Sequence, residues 1–127
     1  MARYILNSAV ITAPGIYNYH HITAADALLW LHEGGWESTT GYEETAEALQ
    51  RISGIEIPCN RKQIVMNVDD EALVFRLTKR LITPDDKGKI GVDEVLANCE
   101  IGILRYVAAP ISRTDYMNGE KTIIHLR

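Results

Sequence analysis

The sequence predicts an α/β (α+β) fold, a central mixed β-sheet flanked by helices within a single domain covering residues 1–127. Three observations lead there. Runs rich in β-branched and aromatic residues recur at 4–12, 62–66, 72–82 and 102–108, two intervening segments carry apolar residues at helical spacing, and strands and helices alternate irregularly. A chain of 127 residues is long enough to bury a core without metal or disulfide staples.

The elements follow in order. YILNSAVIT (4–12) reads as a first strand interrupted by two short polar residues, Asn7 and Ser8, and ended by the turn Ala13-Pro14-Gly15. Thr23-Ala24-Ala25-Asp26 offers a capping-box-like start to a helix whose apolar stripe is Ala27, Leu28 and Leu31, with Gly34-Gly35 as its stop. TTGYEETAEAL (39–49) opens a second helix, with Thr40 expected as N-cap, Glu43 closing a capping box, Gly41 and Tyr42 in the first turn, and Gly54 at the C-terminal end. KQIVM (62–66) and ALVFRLTKRLI (72–82) are expected as strands joined by the turn Asn67-Val68-Asp69-Asp70. The second alternates, with Leu73, Phe75 and Leu77 opposite Arg76, Thr78 and Arg80. A short helix is expected around Val92–Ala97, then a strand at 102–108, and Asn118-Gly119 marks a β-hairpin in the C-terminal extension 108–127.

Composition excludes several classes. No apolar run reaches the roughly 20 residues of a membrane span, and the N-terminus lacks a secretory signal, so the expected location is the cytoplasm. A net charge of −4 disfavours long nucleic acid as a partner but leaves room for a compact basic pocket. Cys59 and Cys99 form no metal-like cluster and are expected as small, partly buried, unpaired side chains. His20 and His21 are adjacent and would point to opposite faces of a strand, while His32 and His125 have no partner spacing; no metal or cofactor is expected.

Chemistry centres on anions. The N-terminus of the helix that begins near Tyr42 presents free N–H groups to a phosphate, and Gly41 allows close approach. Asn60-Arg61, Arg76, Arg80 and Arg105 supply guanidinium groups that converge on such a ligand if their strands are neighbours, or pair with acids on the surface if they are not.

LNSA, GYEETAEAL, GIEIPCNRKQI and ALVFRLTKRL, in this order and spacing over residues 4–107, resemble the viral ring nuclease family, which antagonises type III CRISPR immunity by degrading cyclic tetra-adenylate. The resemblance implies a symmetric homodimer holding a cyclic nucleotide across its interface. Asn7 looks like the asparagine of the family's first-strand motif, Arg61 like the arginine of its N-R pair, and Arg80 like the arginine that stabilises the scissile phosphate. Asn7, Ser8, Gly41, Tyr42, Arg61, Arg76 and Arg80 are thus the expected ligand-binding residues, and Tyr42 and Arg80 the catalytic pair if the chain cleaves.

One position departs from the family. Its members usually read G-H-x-x-T-A where this chain reads Gly41-Tyr42-Glu43-Glu44-Thr45-Ala46, replacing the histidine acid by tyrosine. Metal-free cleavage lets a ribose 2′-hydroxyl attack the adjacent phosphate while an acid protonates the leaving oxygen. A histidine with a pKa near about 6.5 suits that step, a tyrosine near about 10 much less, and loss of a general acid costs about 10²–10⁴ in rate. Three classes stay open: sequestration of a cyclic nucleotide messenger, residual ring nuclease activity helped by Tyr42, Arg80 or a histidine such as His20 or His21, and a scaffold reused to bind protein or DNA.

Overall fold

In a computed structural model, which describes residues 1–10, 12–79 and 91–110, strands and helices alternate as β1 (Arg3–Leu6), β2 (Ile16–His21), α1 (Ala24–Glu33), β3 (Trp36–Ser38), α2 (Glu43–Ser53), β4 (Glu71–Leu77), α3 (Val92–Ala97) and β5 (Cys99–Ala108). The five strands form one mixed sheet in the order β2-β5-β4-β1-β3. β1 runs parallel to both β3 and β4, whereas β5 runs antiparallel to β4 and β2. The carboxyl ends of β1, β3 and β4 therefore share one edge of the sheet, with β2 ending on the same side.

The expected helices form, with the expected signals at the start of α1, at its end where Gly34 is the C-cap, and at the end of α2. Thr23 caps α1, its hydroxyl accepting from the Asp26 N–H at 3.1 Å. Gly54 ends α2 in the left-handed region at φ 72°, and α3 covers Val92–Ala97. The start of α2 differs. Its N-cap is Tyr42, with no side-chain cap, and Thr40 is not the cap: it is 1% exposed and its Oγ1 has no hydrogen-bond partner. The loop leaves β3 through Thr39, whose N–H donates to Ile5 of β1, and Thr40, whose carbonyl accepts from the Asn60 N–H, so the helix begins two residues later.

Strand expectations need more correction. β1 ends at Leu6, so Asn7 and Ser8 lie in a bend beyond the strand rather than inside one running to residue 12. Residues 62–66 adopt no regular strand; their apolar side chains Ile64 and Met66 instead cover the second face of the sheet. The turn at 67–70 is present, with Asn67 N–H donating to Asp70 Oδ2 at 2.8 Å and Asp69 at φ 78°, but it leads into β4 rather than joining a hairpin. β4 begins at Glu71, and β5 begins at Cys99 rather than at residue 102. β2 and β3, short and polar, escape the periodicity rules altogether. Arg80, the last residues of the 72–82 run and the Asn118-Gly119 hairpin lie outside the described residues.

β4 holds the layers together. Leu73 and Phe75 face α1, α2 and α3 in a cluster with Ile5, Leu31, Leu49 and Val95, while Ala72 and Val74 face Leu6, Met66, Leu104 and Tyr106 on the other side. Both faces are buried, although the sequence alternation leaves one of them polar. The neighbouring Gly102 of β5 makes room for the Tyr19 ring, which a Cβ there would meet at 2.7 Å. Truncation of Phe75, which is 0% exposed, is expected to be the costly kind: Phe75→Ala should lower unfolding stability by about 3–5 kcal/mol in urea denaturation, whereas Val65→Ala at an exposed position should change it by under about 0.5 kcal/mol.

Candidate functional site

The shared strand edge is built by a short hydrogen-bonded clasp. Thr39 donates from both its N–H and its hydroxyl to the Ile5 carbonyl, at 3.0 and 2.7 Å, fixing the exit of β3 against β1. The Ser38 hydroxyl donates to the Pro58 carbonyl at 2.6 Å, the Asn60 amide to the Ser38 carbonyl at 3.0 Å, and the Asn60 N–H to the Thr40 carbonyl at 2.8 Å. Asn60 of the N-R pair is thus a structural residue. It delivers the next two side chains, Arg61 and Lys62, to the edge.

Arg61 lies against Gly41 and Tyr42. A Cβ at Gly41 would come within 3.1 Å of Arg61 Cγ, and Arg61 Cζ lies 5.7 Å from the centre of the Tyr42 ring, a cation–π arrangement. Tyr42 is 56% exposed, so its ring is open to solvent beside the guanidinium. The structure therefore brings Gly41, Tyr42 and Arg61 together at the N-terminus of α2. On one side, a depression of about 450 Å³ is lined by Tyr42, Glu43, Glu44, Thr45, Leu77, Thr78 and Lys79. On the other, one of about 370 Å³ is lined by Asn7, Ser8, Thr39, Lys62, Gln63 and Ile64 among others. Lys62, Gln63 and Thr39 were not expected as site residues; the apolar alternation of 62–66 presented them as part of a strand, and only the clasp turns them toward Asn7.

Two other arginines singled out in the sequence are paired with acids. Arg76 pairs with Glu100 at 2.9 Å, and Arg105 with Asp69 at 3.4 Å, so these two guanidiniums are compensated by acids. Burial, then Glu100, raises the Tyr19 phenol on the same patch, while Arg76 lowers it. His21 shares a register row with Gly102, Val74 and Leu6. Three strand spacings of about 4.8 Å put it roughly 14 Å from Leu6, and β3, which leads to Tyr42, lies beyond. Its ring packs edge-on against Tyr19, and His20 Nδ1 sits 3.3 Å from Asn18 Oδ1. His20 and His21 therefore lie across the sheet from Tyr42. Both cysteines are free, but Cys59 is exposed rather than partly buried because it sits on the outer loop after α2. Among the described residues, no group of three or more His, Cys, Asp or Glu side chains could hold a metal ion, and no helix is long and apolar enough to cross a membrane. A broader groove of about 780 Å³ along α2 is lined by Glu43, Glu47 and Glu56 against the one cation Arg51 among the described residues, so acids outnumber cations there.

Lys62 is held by Glu37 of β3, whose carboxylate accepts its hydrogen bond and raises the ammonium pKa above its ordinary 10.5. A raised folded-state value means that the pair's contribution to stability is complete below about pH 10.5 and is lost as the pH climbs through the folded pKa. An NMR titration of Lys62 Nζ between neutral and strongly alkaline pH should show the late deprotonation in the native chain and its return toward the ordinary value in Glu37→Gln. Asn60→Ala removes one arm of the clasp and should reduce stability by about 1 kcal/mol, read from chemical denaturation.

Comparisons with known proteins give the chain a family and relatives of the same fold. The chain is 38% identical over 77 residues to the protein YddF of Bacillus subtilis (strain 168), covering 59% of this chain and 71% of that one. It is 35% identical over 91 residues to protein 26 of Sulfolobus islandicus filamentous virus (isolate Iceland/Hveragerdi), covering 68% and 74%. It is 29% identical over 83 residues to ORF117 of Acidianus two-tailed virus, covering 61% and 71%. The fold superposes on B116 of Sulfolobus turreted icosahedral virus with a TM-score of 0.70 at 19% identity, over 84% of this chain and 100% of that one, a likeness of fold. The family model described as STIV B116-like matches residues 3–103, and the chain belongs to the STIV B116-like family, with relatives in archaeal viruses and in a bacterium.

Proposed function

We propose that this chain binds a cyclic nucleotide messenger and holds it without turnover, acting as a sponge that antagonises host antiviral signalling. The observation that carries this reading is the placement of Arg61 against Gly41 and Tyr42 at the start of α2, on the edge where β1, β3 and β4 end. Open α/β sheets bind ligands at the carboxyl ends of their strands, and a helix N-terminus favours phosphate. Arg61 enters no ion pair among the described residues, in contrast to Arg76 and Arg105, so its guanidinium is the one of the three not already neutralised by an acid.

The resemblance to ring nucleases supplies the ligand class, and the departure at Tyr42 supplies the outcome. A phenol keeps a hydrogen-bond donor and a face on which a base stacks, but it is a poor acid for a 3′,5′-phosphodiester at neutral pH. The Tyr42 ring is exposed and backed by Arg61, an arrangement suited to stacking. Two-fold pairing of chains would double Arg61, Tyr42 and Asn7 around a ligand of matching symmetry, as the resemblance implies. An acid restored at the right place would convert holding into cutting.

Incubation of the purified protein with cyclic di-, tri- and tetranucleotides, followed by chromatography before and after heat denaturation, tests this directly. Depletion of one ligand and its intact recovery is the expected result; linear products in excess of protein would mean a ring nuclease, and depletion of none would remove both readings. Arg61→Ala should weaken binding of the depleted ligand by at least tenfold, in line with about 1.5–3 kcal/mol for a hydrogen bond to a charged group. Tyr42→His should produce slow cleavage of the ligand that the native chain returns intact.

A further inference from the structure

The depression beside Asn7 has a chemistry of its own. Its volume of about 370 Å³ sits near the lower end of the range for small-molecule sites, roughly 300–1,000 Å³, too small for a whole cyclic dinucleotide and adequate for one base. Leu6, Val10, Ile64 and Val65 contribute apolar walls, and among the described residues no acid lines it and the one cation, Lys62, is already committed to Glu37. Such a lining suits a neutral, planar, partly apolar group better than a phosphate.

Two carboxamides face this depression, those of Asn7 and Gln63. Three other carboxamides hold structure together: Asn60 donates to Ser38, Asn98 to Glu94, and Gln50 accepts from the Ile57 N–H. Among the described residues, the Asn7 and Gln63 side chains have no hydrogen-bond partner. A carboxamide offers one acceptor and two donors, the pattern that pairs in bidentate fashion with the edge of a nucleobase. The depression also adjoins the anion surface through the chain itself, because Thr39 lines it two residues before Gly41, and Lys62 follows Arg61 directly.

We infer that this depression is a base-reading pocket, in which Gln63 and Asn7 select one nucleobase of a cyclic nucleotide whose phosphates lie toward Arg61. The inference rests on the nucleotide-binding reading above and adds to it the determinant of base identity. Lys62, pinned by Glu37, acts as a wall of the pocket and keeps the 61–65 segment in place; it is a positioning residue for Gln63.

Calorimetric binding of cyclic nucleotides matched in ring size and differing only in base provides the test, with native protein, Gln63→Leu and Asn7→Ala compared by their affinity ratios. The native chain should prefer one base, and Gln63→Leu should cut that preference by roughly tenfold or more, as expected from about 1–3 kcal/mol per bidentate base contact. Gln63 is exposed, so this variant should fold normally, which its thermal melt verifies. Glu37→Gln should erode the preference less than Gln63→Leu while leaving the Arg61 dependence intact. A native chain that binds all bases equally, or a preference unchanged in both Gln63→Leu and Asn7→Ala, would overturn the pocket while leaving nucleotide binding in place. A native chain that binds no cyclic nucleotide would overturn both.

Discussion

The clasp between residues 38–40 and 58–60 is the constraint on which the rest of the site depends. Ser38, Thr39 and Thr40 leave the sheet in an irregular path whose polar groups must find partners away from water. They find them in Ile5 on one side and in Pro58 and Asn60 on the other. One consequence is energetic, since buried backbone groups of the loop are largely paired. The other is geometric: the segment after α2 is forced back to the mouth of β3, and Arg61 arrives beside Gly41. Thr40 Oγ1 is the exception, a buried hydroxyl without a partner at the centre of this otherwise satisfied loop.

The same return path covers the second face of the sheet among the described residues. α1, α2 and α3 cover one face through Trp30, Leu31, Leu49 and Val95. The other face is covered by extended chain, with Met66 and Ile64 packed on Val74 and Leu104, and Tyr17 stacked on Tyr106 at 4.6 Å. At the opposite edge, Arg3 ties β1 to the end of α1 through Trp30 and Glu33, with its Cζ 4.0 Å from the Trp30 ring centre, and the Trp30 indole donates to Glu71 at 2.7 Å. The strand ends that carry the candidate site are therefore held from below by a polar network and from above by the clasp.

Electrostatics divides the arginines by neighbour rather than by sequence. The chain as a whole carries −4, yet charge is local at distances shorter than the Debye length of about 8–10 Å. Arg76 faces Glu100 across one strand spacing and Arg105 pairs with Asp69 of the turn before β4, and exposed pairs of that kind contribute little to stability while neutralising the cation for a ligand. Arg61 faces a tyrosine and a glycine, neither of which competes with an anion for it.

Local rules carried the sequence a long way: Thr23 with Asp26 marks the start of α1, Gly54 its neighbour's end, and Asn67–Asp70 a turn, because caps and turns are satisfied by residues within four positions of one another. Leu73 and Phe75 showed the core face of β4, and the Gly41-Tyr42 and Asn60-Arg61 pairs were visible as candidate anion contacts. Periodicity misled where burial came from distant partners. Ile64 and Met66 alternate as a strand would, but they obey the hydrophobic demand of a sheet face. Short β2 and β3 carry no periodic signal since their place is set by pairing with β5 and β1. By itself the sequence determined the helices, the turn, the central strand and the residue types at the site. Tertiary structure alone decided which of them meet, because the hydrogen bonds joining Ser38 to Asn60 and the packing of Arg61 on Gly41 span about twenty residues, a separation over which no local pattern operates.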